Sequence, residues 1–362
     1  KATTYELTPM NLSGKFPNTY RDELITRIRN LNFTEGDEGF QELAIDVFRF
    51  QYLHNKVYKS FIDLLKINPE EVVDFRDIPF LPVEAFRDHI IRTGEFTPEI
   101  IYQSSGTSSS NSRSKHHVRS LDWYNEITNR IYSNMISPVE NSIFYALLPG
   151  YIEREDASLV AMAKSFMRIS GQGDNFYLDN YKELEVELKR SFESEEDVVV
   201  IGVTHALLKW LEGEEAPVWA NKGIDCGWSL TIIETGGMKG HGREPIRNEV
   251  HSRIKNVLPF ARIISEYGMT ELMSQAYSLD GRFFHSPPWM RVIIRDPADP
   301  GLILEPGRTG RLQIIDLANI DSCAFISTSD LGSVKIEGDK SMFEVLGRFD
   351  HSEVRGCNLL SV

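Results

Sequence analysis

Glu266-Tyr-Gly-Met-Thr-Glu-Leu272 stands directly after Ala261-Arg-Ile-Ile-Ser265, a short apolar run that reads as a strand. Thr270 and Glu271 therefore fall at that strand's carboxyl end, where open α/β sheets bind ligands. Taken alone, Glu271 is more often an acid at a helix N-terminus than a ligand. Its meaning depends on what surrounds it.

Upstream of this stretch, strands and helices alternate. Ser142 to Leu148 reads as a strand, Ala157 to Ile169 as a helix that Asp156 can cap, and Tyr181 to Phe192 as a second helix. Asp197 to Val203 is a β-branched buried strand leading to Thr204, a candidate cap for a third helix. Ser229 to Glu234 is a strand running into Gly236-Gly237, followed by a helix from Pro245 to Val257. The layout predicts an α/β fold. Earlier in the chain, Asp22 to Leu31 and Gly39 to Leu65 carry helical periodicity, Asp77 to Phe86 is broken by two prolines and reads as extended, and Trp123 to Met135 is helical. Beyond residue 290 the texture changes to short strands: Met290 to Arg295, Gly310 to Asp316, Ala324 to Ser327, Ser333 to Ile336 and Met342 to Leu346. The turn Glu337-Gly338-Asp339-Lys340 suits a hairpin. These shifts divide the chain into a helical region (1–100), an α/β core (101–289), a β-rich part (290–347) and a tail (348–362).

Composition narrows the function. The 362 residues are 41% hydrophobic and 25% charged, with no apolar run long enough to span a bilayer and no signal-peptide order at the start, so a cytoplasmic protein without a membrane span is expected. A net charge of −14 argues against nucleic-acid binding, which needs clustered Lys and Arg. Cys226, Cys323 and Cys357 are too scattered for a disulfide framework or a zinc site, and the nine histidines show no metal-ligand spacing.

Ile101 to His117 is a serine-rich stretch ending in a basic cluster. Such clusters are often plain surface loops. The alternative is a phosphate-wrapping loop, with backbone N–H groups and hydroxyls as donors and Arg113, Lys115, His116 and His117 nearby. Neither a Walker spacing nor G-x-G-x-x-G is present.

Three segments following that loop in order favour the alternative: Tyr267-Gly268-Met269-Thr270-Glu271, then Ser327-Thr-Ser-Asp-Leu-Gly332, then Gly347-Arg-Phe-Asp-His-Ser-Glu-Val-Arg-Gly356. Together they resemble the adenylate-forming enzymes: acyl-CoA synthetases, luciferases and adenylation domains. In that likeness Ser104, Ser105, Gly106, Thr107 and Ser108 match the phosphate loop in kind, with Lys115 the candidate for its lysine, although this loop is longer and lacks the family's proline. Gly236-Gly237 resembles the pair lying against adenine, and Asp330 the acid that accepts both ribose hydroxyls. Glu271 resembles the magnesium-placing glutamate, and Arg348 the arginine beside the hinge. The implied fold is the large domain of these enzymes, with stacked β-sheets, flanking helices and a small β-barrel-like C-terminal part. The mobile C-terminal domain that supplies a catalytic lysine in larger relatives is not expected, since the sequence ends shortly after Arg348.

Within this superfamily, Ile78-Pro-Phe-Leu-Pro-Val83, Tyr267 to Gln275 and Glu353-Val-Arg-Gly-Cys357 are similar to the acyl-protein synthetase (LuxE) family of bacterial bioluminescence. That likeness implies ATP, Mg2+, a fatty acid or related carboxylic acid, an acyl-adenylate, and acyl transfer to Cys357, with delivery to an acyl-CoA reductase-like partner. A thiol suits the acceptor role because its thiolate is strongly nucleophilic. Two other readings stand beside it: an acyl- or aryl-CoA ligase-like enzyme, and a degenerate nucleotide-binding subunit without catalysis. His205, between a strand and a helix, is either a gate to the acyl pocket or a structural histidine.

Overall fold

The computed structural model describes residues 18–33, 39–104, 113–149, 156–214, 216–222, 228–236, 246–338 and 340–348. Three short strands, β1 (Leu81–Pro82), β2 (Ile100–Gln103) and β3 (Lys115–Val118), come first in the chain. The parallel core follows with β4 (Ile143–Leu147), β5 (Val198–Gly202), β6 (Leu230–Glu234) and β7 (Arg262–Tyr267). After it come β8 (Ala276–Ser278), β9 (Phe284–His285), β10 (Met290–Arg295), β11 (Gly310–Asp316), β12 (Phe325–Glu337) and β13 (Lys340–Arg348).

Every residue of β5 and β6 is buried, as expected of parallel strands covered on both faces. The helices Leu121–Met135 and Ser158–Ile169 pack together, and the second lies on β4. Tyr132 on the first helix meets Phe144 and Phe166 with ring centroids 5.5 and 4.8 Å apart. The helices Thr204–Leu211 and Arg247–Val257 also pack against each other. Among the described residues, no helix is long and apolar enough to cross a membrane.

The sheet runs in the order β10-β11-β12-β13-β9-β8-β7-β6-β5-β4, with β1 added in parallel to β12. Pairing is parallel from β4 to β7 and antiparallel from β7 to β10. The C-terminal strands thus continue the core sheet through β8 and β9. Among the described residues they do not close into a barrel.

Several boundaries move. The expected helix from Gly39 to Leu65 is two helices, Phe40–His54 and Lys56–Leu64, because Asn55 turns extended and its side chain accepts from the Tyr58 amide. The expected strands Ala324 to Ser327 and Ser333 to Ile336 are one strand, β12, running straight through Asp330. Asp156 does not cap the helix after it, which starts at Ser158 from an Ala157 cap without a side-chain bond. Thr204 is the first helical residue rather than the cap, and its hydroxyl donates to Glu234 instead. Asp77 to Phe86, expected to be extended throughout, holds the end of a 3-10 turn, β1 and the start of a short helix.

At the middle of β12 and β13 the register slips between Leu331 and Gly332, so that Asp330 stands opposite Arg348. Gly332 is needed there: a Cβ would collide with the Glu344 carbonyl oxygen and lie 2.7 Å from Leu312 Cδ1. Backbone cannot yield as a flexible side chain can. Gly332→Ala should therefore lower unfolding free energy by about 2 kcal/mol or more, read as a denaturant midpoint. An unchanged midpoint would mean the two strands are not packed this closely.

Candidate active site

The described site is built at the carboxyl ends of β6 and β7. β7 extends past the expected Ser265 to include Glu266 and Tyr267, so the turn proper begins at Gly268. Side chains alternate along a strand, which sends Tyr267 and Glu266 to opposite faces. The Tyr267 hydroxyl donates to Asp330 Oδ2 at 2.8 Å. Asp330 Oδ1 faces Arg348 Nε at 3.6 Å. Burial raises the Asp330 carboxyl above the usual range, while Tyr267 and Arg348 pull it back down.

Glu271 joins the same cluster. It is buried, and burial raises its carboxyl; the Ser114 side chain hydrogen-bonds to it and Arg348 also lowers it, while Asp330 raises it further. Ser114 closes the serine-rich loop, so the end of that loop and the turn after β7 are in contact. The four residues Tyr267, Glu271, Asp330 and Arg348, read from separated motifs, are thereby brought together. Thr270 contributes its backbone carbonyl to a different contact, described next.

Two residues that hold this turn in place carry no motif. His116 is buried on β3; its Nδ1 lies 2.8 Å from the Thr270 carbonyl and its Nε2 2.9 Å from Asn319 Oδ1. Asn319 Nδ2 donates to the Glu271 carbonyl at 2.7 Å and the Cys323 carbonyl at 2.9 Å. The amide's two donors are committed, so its oxygen must face the ring. Both ring nitrogens then meet acceptors, an arrangement met in full only when both carry protons, whereas burial drives the ring down to about 4. Its sequence setting in a basic cluster suggested a phosphate contact; in the fold His116 points inward. Asp316, also unsignalled, accepts from the amides of Met273 and Ser274, each at 2.9 Å, and from the Ser274 hydroxyl at 2.7 Å. Burial nevertheless lifts it to about 6.

The remaining candidates divide by position. Ser104 sits at the mouth of the loop, where its hydroxyl accepts from the Ser114 amide at 3.1 Å. Lys115 is exposed at the start of β3, opposite Gln103. Gly236, with φ of 66°, donates its amide to Glu234 Oε1 at 2.8 Å. His205 is half-buried on the first turn of its helix. Ser105, Gly106, Thr107, Ser108, Gly237 and Cys357 lie outside the described residues.

Gly268 lies against the Glu266 carboxyl, whose Oε1 would have to shift if a Cβ were added there. Glu266 is buried, and burial first, then the nearby Glu234 carboxyl, pushes it from the ordinary 4.5 up to about 8. Among the described residues no cluster of three His, Cys, Asp or Glu side chains could hold a metal. A magnesium ion fits this donor set differently, since it binds through one or two carboxylates and substrate phosphates, and Glu271 beside Asp330 offers such oxygens.

A family model described as acyl-protein synthetase, LuxE, matches residues 18–361. No curated protein matches the chain. Among solved structures it is similar to a 2-hydroxyisobutyryl-CoA ligase in complex with 2-HIB-AMP and CoA in the thioesterification state, with TM-score 0.66 and 11% identity over 87% of this chain and 68% of that one. It is also similar to an ATP-bound RpMatB-BxBclM chimera, with TM-score 0.51 and 15% identity over 70% of this chain and 49% of that one. At these identities the likeness is one of fold.

The Glu266 carboxyl gives a pH signature. Its folded-state value is raised, so the folded protein holds the proton more tightly than the unfolded chain, and the stability this contributes is present below about 4.5 and lost as pH rises through about 8. Thermal melts across that window should show wild type losing ground to Glu266→Gln as pH rises. Parallel melting curves at every pH would mean Glu266 is solvated in the fold.

Proposed function

The chain belongs to the acyl-protein synthetase (LuxE) family of adenylate-forming ligases, and on that premise we propose that it activates a carboxylic acid with ATP and then carries the acyl group on its own Cys357. The observation that carries this reading is the convergence of Tyr267, Glu271, Asp330 and Arg348 on one end of the sheet. A scaffold that only bound a partner would need no such cluster.

In the first step an oxygen of the substrate carboxylate attacks the α-phosphorus of ATP, and the bond to pyrophosphate breaks. Two like-charged groups must approach, so the site has to supply donors and positive charge. Asp330, held by Tyr267 on one oxygen, keeps lone pairs for the two ribose hydroxyls. Arg348 sits on the exposed side of Asp330, where a reacting phosphate can meet it. Glu271 and the loop from Ser104 to Ser108 form the phosphate side, and Gly236-Gly237 the adenine side. Magnesium, when bound, neutralises triphosphate charge and would be held by Glu271. In the second step the Cys357 thiolate attacks the acyl carbonyl and AMP leaves, giving a thioester ready for a reductase-like partner. Cys357 enters through the match of Glu353 to Cys357 to the family's acyl-accepting end, and the same likeness supports a fatty acid as substrate.

ATP–pyrophosphate exchange dependent on an added acid tests the first step. Asp330→Ala should weaken ATP binding by about tenfold or more, measured by calorimetry; equal binding by wild type and variant removes the ribose assignment. Labelled acid with ATP, followed by denaturing electrophoresis and hydroxylamine, tests the second. Cys357→Ser should lose the hydroxylamine-labile label and keep exchange, and a label that survives moves the acceptor elsewhere.

A further inference from the structure

The face of β7 turned away from Tyr267 carries a second set of polar groups. Glu266 lies on it, and in the antiparallel register of β7 with β8 its direct partner is Tyr277. Directly opposed residues bring their Cβ atoms to about 4.5–5.5 Å on the same side of a sheet. The helix Leu121–Met135 covers this side: its Tyr132 ring stands edge-on to Tyr277 with centroids 6.3 Å apart. Tyr124, about two turns earlier on the same helix, packs against Tyr102 of β2 at 5.2 Å. Glu266, Tyr277 and Tyr102 therefore converge under one helix.

These groups are deeply buried, Glu266 being 9% exposed, Tyr277 1% and Tyr102 0%. The hydroxyls of Tyr277 and Tyr102 have no hydrogen-bond partner among the described residues. The Glu266 carboxyl holds its proton through burial and the nearby Glu234. Tyr124 differs, because its hydroxyl donates to the Ser158 carbonyl at 3.0 Å. Buried polar groups without partners are rare in native proteins and call for a water, an ion or a ligand group to complete them. Two such hydroxyls lie under the helix with the Glu266 carboxyl, whose Oε1 reaches back to the turn after β7, where a Cβ on Gly268 would meet it.

We propose that Glu266, Tyr277 and Tyr102 form the polar end of the acid-binding pocket and recognise a hydroxyl group on the chain of the carboxylic acid substrate. This rests on the acid-activation reading above and adds the substrate class. The chemistry selects a hydroxyl over other substituents. It accepts from a tyrosine O–H and donates to a carboxyl oxygen, so one small group completes donor and acceptor together. An ammonium group only donates. A methylene does neither, and an unsubstituted aliphatic chain would leave both tyrosine hydroxyls unpaired on binding.

The experiment is acid-dependent ATP–pyrophosphate exchange with plain alkanoic acids of several lengths, each matched with its hydroxylated counterparts. A site built to bond a hydroxyl rejects the analogue lacking it strongly, so the preferred hydroxy acid should exceed its plain partner in kcat/KM by about a hundredfold or more. Tyr277→Phe removes only the hydroxyl and should cut that ratio, with Glu266→Gln as a second variant that keeps the shape. Plain and hydroxylated acids used equally well, or variants that change both acids alike, would overturn the proposal. A failure of every acid to support exchange is a different result, since it sinks acid activation itself. In that case calorimetric titration of the protein with the matched acids decides: tighter binding of a hydroxy acid, lost in Tyr277→Phe, supports the pocket, and equal or absent binding overturns it.

Discussion

One buried amide ties four parts of the chain to the site. Asn319 reaches the turn after β7 through the Glu271 carbonyl and the lead into β12 through the Cys323 carbonyl. It reaches β3 through His116, and its own carbonyl accepts from Gln51 on the helix Phe40–His54 at 3.0 Å. A turn leaving a sheet inside a protein has backbone groups that no ladder satisfies, and each must find a partner. Here side chains remote in sequence supply them. The position of Glu271 is thus a property of the whole fold, for its carbonyl rests on Asn319, which is itself tied to β3, to the lead into β12 and to the helix Phe40–His54.

Carboxyl groups crowd this end of the sheet, and the fold accommodates each by separate means. Asp316 is surrounded by three donors, and Glu234 takes the Thr204 hydroxyl and the Gly236 amide. Asp330 has a tyrosine and an arginine, Glu271 a serine. Glu266 keeps its proton. Arg348 is paired with Asp330 and Arg247 lies near Glu234, so among the described residues the carboxyls gathered here still outnumber the arginines beside them at the place where a triphosphate is to be read. That is the balance suited to an anion arriving with its own metal, in which the protein orients rather than neutralises.

The sequence carried the architecture wherever the decisive forces were local. β10 and β11 begin and end where alternation and turn residues put them, and the hairpin at Glu337 to Lys340 formed as its glycine, with φ of 60°, required. The break at Asn55 was hidden because helical periodicity continues across it, while the cause is tertiary: Asn55 Nδ2 donates to the Ser322 carbonyl at 2.8 Å. The same distinction runs through the site. Tyr267, Glu271, Asp330 and Arg348 were legible as ordered motifs. His116 looked like a surface base among serines and lysine, and only the register of β3 turned it inward. Asn319 and Asp316 had no signal, since a polar residue in a strand-and-turn region announces nothing until its distant partners are known. Glu266 did leave a trace, an acid closing an apolar strand, though it passed as a mere flank of its neighbours.

The slip between β12 and β13 sets a phase. Below it Gly332 opposes Val345 and above it Leu331 opposes Gly347, which leaves Leu346 as an extra residue, 56% exposed, on one strand only. Were Leu346 instead paired with Leu331, the ladder would run on unbroken, Gly347 would stand opposite Asp330, and Arg348 would turn to the other face of the sheet. The hairpin therefore counts residues: with the bulge kept, a single insertion or deletion in β13 between Lys340 and Val345 carries the arginine away from the acid, whereas one residue added to each strand leaves the pairing as it is. Constraint of this kind falls on spacing, in addition to the constraint on identity that packing places on Phe343, buried against Tyr267 with ring centroids 5.4 Å apart.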